Sequence, residues 1–253
     1  MPRAEVRLLA PACGVLSLIA AAAALQALIV TDVVSRYVVP PPTDVVMAIA
    51  RIVREEHVVA RFLLTSGETF GSGLLILAVG VPIGFWLHRS ALARRAFEAW
   101  VAAWAAAPLV LAYPLFLVLF GRSSLTIVVL GFAAGVAPVV LKTLEGLTAT
   151  RRVLVDVGRS LQITRGQMFR KILIPAALPE IFTGLRLGLT FSLINIVGVE
   201  FLINFGGLGQ LINELAERYD LAGTYAAIGF VLLASMVFFA CMEHVERWLR
   251  RTH

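Results

Sequence analysis

The sequence predicts an all-α integral membrane protein of about six transmembrane helices with a cytoplasmic helix hairpin. Three observations predict it. The chain of 253 residues is 59% hydrophobic and only 15% charged, against roughly 45–50% apolar for soluble domains. Its apolar residues gather into runs of the length a helical bilayer crossing needs, about 20 residues. A single polar, basic interruption, Asp156 to Pro179, is longer and more amphipathic than a simple turn between two crossings. The mean hydropathy of +0.88 agrees. The whole of 1–253 is expected to form one transmembrane domain, with an outer loop over about 36–66 and a cytoplasmic loop over about 152–175.

Six segments qualify as spans: 12–30, 67–87, 98–120, 124–144, 177–203 and 223–245. The first follows MPRAEVR and resembles a secretory leader, with Ala20–Ala24 offering a cleavage site. Its apolar run of about 19 residues exceeds the roughly 7–15 of a leader core, so a retained span is expected. Pro108 and Pro114 in the third and Pro138 in the fourth are expected to kink their helices without breaking them. The outer loop opens on Pro40-Pro41-Pro42, a stiff extended stretch. Thr43-Asp44 then signals a helix start. Val46, Ile49, Val53 and Val59 suggest an amphipathic helix on the outer membrane surface.

Six spans put both termini on one side. With the termini, 88–97 and 145–176 placed in the cytoplasm, 15 of the 22 basic residues fall inside, 6 outside, and Arg186 within a span. Positive residues accumulate on the cytoplasmic side, so both termini and the long loop are expected there. The net charge of +6 therefore reports orientation and not nucleic acid. Cys13 and Cys241 lie inside apolar segments and are expected to act as small buried hydrophobes, not as a disulfide framework. His57, His88, His244 and His253 lack metal-ligand spacing.

Within the long loop, 153–163 reads as a helix with Val153, Val157, Ser160, Leu161 and Thr164 roughly on one face. Thr164-Arg165-Gly166 is a turn signal. Residues 167–174 form a second short helix, offering Met168, Phe169, Ile172 and Leu173 for packing, and Pro175 and Pro179 stop helices or start the next one. The exposed side carries Asp156, Arg159, Arg165 and Arg170. Such a hairpin suits rigid docking into a partner's groove.

Here the chain resembles a known family. DVGRSLQITRGQMFRKILIPAALPEIFTGLR is similar to the coupling-loop signature of ATP-binding-cassette importer permeases, which runs Glu-Ala-Ala, three residues, Gly, nine residues, Ile, one residue, Leu-Pro. Asp156-Val157-Gly158 stands at Glu-Ala-Ala, Gln162 at Gly, Ile172 at Ile, and Ile174-Pro175 at Leu-Pro. The spacing is intact, while Gly158 and Gln162 depart from the pattern, and Gln162 alters the tight approach expected at that point. PAALPEIFTGLR, FGGLGQLI (205–212) and VVPPPTDVV resemble the nitrate, taurine and alkanesulfonate branch. The resemblance covers nearly the whole chain from Arg36 onward.

The resemblance implies a type I importer permease working by alternating access. Two permease subunits, by default a homodimer, would pair in the bilayer. Two ATPase subunits would dock on the hairpins through Asp156, Gly158, Arg159, Gln162, Arg165, Ile172 and Pro175. An extracytoplasmic substrate-binding protein would deliver the solute, with a lean toward a small anion such as a sulfonate, taurine or nitrate, or a related small organic solute. ATP and Mg would bind the ATPase partners and no cofactor this chain, which has no G-x-x-x-x-G-K-[ST] phosphate loop and is expected not to be an enzyme.

Within the spans, Gly184 and Gly188 with Ser192, Gly80 with Gly84, and Gly131 with Gly135 fall four apart and suit close helix packing. Ser192 and Asn195, mid-span, are polar pore candidates, with Glu200 a further one. Arg186 and Glu200 are near enough to the span ends to snorkel, and Asn204 suits a cap. Gly206-Gly207-Leu208-Gly209 follows no strand and reads as a tight turn leading to an outer gate or binding-protein contact. The competing reading is a self-sufficient secondary transporter or channel, which calls for ion-coupling groups at mid-bilayer or inverted repeats. Neither stands out.

Overall fold

The computed structural model describes residues 3–251 and is helical throughout its regular structure. The chain divides into two compact units, Met1–Val59 with Leu211–Leu232, and Ala60–Gln210 with Leu233–His253.

The first unit holds α1 (Arg3–Val30), α2 (Pro42–Glu55), the end of α10 (Gly207–Glu217) and the start of α11 (Leu221–Arg251). The preset φ of Pro42 in the first turn, Asp44 near the N-terminus and Arg54 in the last turn all favour α2. Its buried stripe is Ala48 and Ile52, whereas Val46 and Val53 are exposed and Val59 belongs to α3 (Val58–Arg89). The chain covers one stripe of α2 and leaves Val46 and Val53 open on another. Adjacent valines at 45 and 46 differ by about 100° around a helix, and tertiary contact decides which set is covered. Arg51 bridges Asp220 (2.5 Å) and Arg218 bridges Glu56 (2.8 Å), fastening α2 to the turn between α10 and α11.

The second unit is built on α6 (Ser124–Thr148) packed along α9 (Ile174–Ile203). Their backbones meet at Gly135 and Gly188, where a Cβ on either would lie 2.5 Å from the other's carbonyl oxygen. Small residues permit such an approach between apolar helices. α3 lies on α6 through Gly80 against Val139 and Gly84 against Thr143, and Gly184 faces Lys142. Ile127, Leu130, Ile196 and Val199 fill the buried centre. Arg186 of α9 pairs with Glu246 of α11 at 3.4 Å.

Among the described residues, four helices are long and apolar enough to cross a bilayer: Val58–Arg89, Ser124–Thr148, Arg165–Ile203 and Leu221–His244. The pair Ala91–Ala106 (α4) and Leu109–Phe120 is apolar enough to cross only when taken together, and it is bent by 87°. The kink expected in 98–120 is therefore a break. Pro108 lacks an N–H, and proline drives the residue before it out of the helical region, with Ala107 at φ −72°, ψ 136°. A 3₁₀ turn (Leu109–Ala112) and α5 (Tyr113–Phe120) follow. Pro138, in contrast, sits inside an unbroken α6. The first expected span lies in α1, whose shorter apolar stretch is Leu16–Val30. Cys13 and Cys241 are both exposed on the surface of the chain, contrary to the expected burial.

The loop over 152–175 also differs from expectation. α7 (Arg152–Ser160) forms, but the second helix is not separate. α8 (Arg165–Met168) runs through a π-helical segment (Phe169–Leu173) directly into α9. Pro175 sits where the π-helical segment passes into α9 and does not end the helix. The supposed turn at Thr164 is a capping box. Gln167 N–H donates to Thr164 Oγ1 (3.3 Å) and Thr164 N–H donates to Gln167 Oε1 (2.9 Å).

The two departures from the family signature have local reasons. α7 ends in a Schellman motif, with Ile163 N–H donating to Gly158 C=O (3.2 Å) and Gln162 N–H to Arg159 C=O (2.9 Å). This places Gln162 at φ 53°, the left-handed region where glycine is favoured. The close approach occurs at Gly158 instead, which is buried and where a Cβ would meet Met168 Cε at 2.7 Å and Ile172 Cδ1 at 2.8 Å. Replacing Gln162 with glycine relieves roughly 1 kcal/mol of left-handed strain. Amide exchange over 158–163 in the purified protein is therefore expected to slow by about fivefold; unchanged exchange would remove the strain assignment.

Candidate functional site

A cavity lies beside the break between α4 and Leu109–Phe120. It has a volume of about 440 Å³ and is lined by Ala105–Val110 on one side and by Ala134, Phe191, Ile194, Asn195 and Gly198 on the other. Non-helical backbone at membrane depth is tolerated only inside protein or along a cavity, and interrupted helices mark binding sites in transporters. Trp104 fixes one wall, its Nε1–H donating to Ala133 C=O (2.8 Å). Asn195 Nδ2 donates to Phe191 C=O (2.9 Å), which sets the orientation of its amide, and Oδ1 has no partner.

The polar residues singled out in α9 do not share one face. Asn195 lines the cavity. Ser192 is buried and exchanges a 2.8 Å hydrogen bond with Ser72 of α3. Glu200 is 0% exposed. It does not snorkel, because it has partners inside. Its Oε1 accepts from Thr65 Oγ1 (2.7 Å), its Oε2 accepts from Gly209 N–H (2.8 Å), and Thr65 Oγ1 accepts from Leu208 N–H (2.9 Å). Thr65 and Glu200 thus cap the first turn of α10, whose N–H groups have no intrahelical acceptors. The preceding turn bends through Gly206 (φ 57°) and Gly207 (φ 64°), and a side chain at Gly207 would run into the Glu200 carboxylate. Asn204 caps α9 in the left-handed region, and Arg122 donates to its carbonyl.

Sequence reasoning missed the α3 half of this arrangement. Thr65, Glu68, Thr69 and Ser72 are all buried, and Glu68 lies beside Glu200. The signal was present as polar residues at i, i+3, i+4 and i+7 within a crossing, a spacing that puts them on one helix face.

Val153, Leu154, Val157 and Leu161 are exposed on the hairpin, as are Asp156 and Arg159, which form a 3.4 Å pair. Gly158 and Ile172 pack inward against one another. Arg165 and Gln162 are exposed, and Pro175 is half-buried.

Several helices of bilayer-crossing length, a break with a cavity beside it and an exposed amphipathic hairpin suit a membrane transport subunit. Residues 77–251 match the family of binding-protein-dependent transport system inner membrane components, and the chain belongs to that family. It is 23% identical over 84% of its length to a probable ABC transporter permease protein of Brucella melitensis, covering 86% of that protein. It is 27% identical over 69% of its length to the taurine transport system permease protein TauC of Escherichia coli, covering 63% of it. Its fold matches an inward-facing structure of the MetNI methionine ABC transporter, with a TM-score of 0.67 at 19% identity, covering 76% of this chain and 95% of that one. The chain is a multi-pass translocation subunit and not an enzyme.

Proposed function

We propose that this chain is the permease subunit of an ATP-driven importer, that two copies pair in the bilayer, and that both termini and the hairpin face the cytoplasm. Two ATPase subunits, which bind ATP and Mg, dock on the hairpin, and an extracytoplasmic binding protein delivers a small solute. The carrying observation is the continuous helix Arg165–Ile203, 39 residues long. It joins the capped end of the hairpin to the wall of the cavity at Asn195, about 45 Å along at 1.5 Å per residue. Displacement of the hairpin by a partner therefore moves the cavity wall as one body.

This geometry supports reading Asn195 as a pore candidate. Ser192 and Glu200 support the same reading indirectly, by holding α9 to α3 and to the outer turn. The solutes named for the relatives include taurine, formylaminopyrimidine and bicarbonate. These are a zwitterion, a neutral ring and an anion, so no single one of them carries over. The test is uptake into proteoliposomes holding this chain with its ATPase and binding protein. ATP-dependent uptake, indifferent to ionophores, is expected. Uptake driven by an ion gradient without ATP would support the secondary-transporter reading instead.

A further inference from the structure

Two buried carboxyl groups meet between α3 and α9. Glu200 is fully buried, Glu68 is 4% exposed, and the two stand side by side. Their surroundings are unequal. Glu200 accepts from Thr65 Oγ1 and from Gly209 N–H in the first turn of α10, a setting that favours a negative charge. Glu68 has nothing comparable. Both of its oxygens are buried and neither has a hydrogen-bond partner of normal geometry. Beside it stand only Ser124, at the start of α6, and Glu200 itself.

No cationic side chain among the described residues neutralises the pair. Arg61 lies about two turns before Glu68 on α3 and is bonded to neither carboxyl. Arg122, just before α6, donates to Asn204 C=O and lies over the Phe205 ring. α6 has no titratable residue before Lys142, α9 none but Glu200 after Arg186, and α10 none before Glu214. Tyr113 of α5 packs on the apolar cluster of α6 and α9. Two adjoining carboxylates away from water repel one another strongly, and one of them charges only if a positive charge is taken up with it.

We propose that Glu68 and Glu200 form a binding site for one monovalent cation, H+ or Na+, held between the two carboxyl groups. The donors are oxygens alone, the two carboxyls with the hydroxyls of Thr65 and Ser124 beside them, a set that suits a hard cation. The bound charge joins α3 to α9 at the foot of the turn that leads into α10. Its release leaves two adjoining negative charges there and loosens the first turn of α10. The proposal rests on this cluster and is independent of the permease reading.

The test is thermal melting of the purified full chain in detergent between about pH 6 and 9. It is run in sodium chloride and in N-methylglucamine chloride of equal ionic strength, the organic cation being too large for the site. In the organic salt the unaltered chain is expected to lose about 3–5 °C per pH unit once the proton leaves, because a proton held only by the folded state stabilises it below that point and not above. Sodium that restores the melting temperature at the alkaline end identifies Na+ as a ligand. Sodium without effect identifies the proton alone. Glu68→Gln, uncharged and of the same shape, is expected to remove both dependences and to melt above the unaltered chain at the alkaline end in the organic salt. Glu68→Met gives the same readout should the glutamine variant not be recovered folded. Equal responses of the unaltered chain and these variants to pH and to sodium, or variants that melt lower throughout the range, would overturn the proposal.

Discussion

Glu200→Ala is expected to cost about 3 kcal/mol, because two hydrogen bonds in dry surroundings are lost and the Gly209 N–H is left without an acceptor. The substitution also leaves an unfilled space between α3, α9 and α10. The purified variant is expected to melt about 6–12 °C lower in detergent, with a smaller yield of folded protein in the membrane. Glu200→Gln keeps a carbonyl oxygen for Gly209 but offers Thr65 an N–H where it had an acceptor, so an intermediate loss is expected. A melting temperature for Glu200→Ala within about 2 °C of the unaltered protein, a shift worth under 1 kcal/mol, would remove the capping role. The same clamp explains why Gly207 tolerates no side chain: its φ is 64° and its Cβ position coincides with the Glu200 carboxylate.

Replacing Asp156 or Arg159 is expected to abolish ATP-driven uptake while leaving the protein folded in the membrane. The two side chains form a 3.4 Å pair and are 66% and 74% exposed. Exposed pairs contribute at most about 1 kcal/mol, so loss of uptake would not arise from unfolding. Beside them Val153, Val157 and Leu161 form an uncovered apolar strip. Val157→Asp places a charge on that strip and is expected to cut ATPase retention during purification by at least about tenfold. Arg94→Ala, on the neighbouring cytoplasmic segment, serves as the control for a general loss of positive charge. Full uptake by the Asp156 and Arg159 variants would detach the hairpin from energy coupling.

The crossings and the hairpin were legible because both rest on strong local signals: apolar length for the first, and an amphipathic basic interruption with intact signature spacing for the second. Three features were not legible, for three physical reasons. The break at Pro108 depends on whether neighbours restore the freed backbone groups, and that is a tertiary fact; Pro138 has the same sequence signature and sits in an unbroken helix. The phase of α2 depends on which of Val45 and Val46 meets the rest of its unit. Glu200 looked able to snorkel because its partners are 135 residues away in α3 and nine residues ahead in a glycine turn. The capping box Thr164-x-x-Gln167 was legible in principle, and its glycine at 166 had suggested a turn.

ATP hydrolysis by the chain co-purified with its ATPase subunits in nanodiscs, with and without the loaded binding protein, bears most directly on the importer reading. Stimulation by the loaded binding protein that disappears when Asp156 and Arg159 are replaced is the expected result. Failure of the chain to hold any ATPase subunit, or stimulation indifferent to both substitutions, would contradict it.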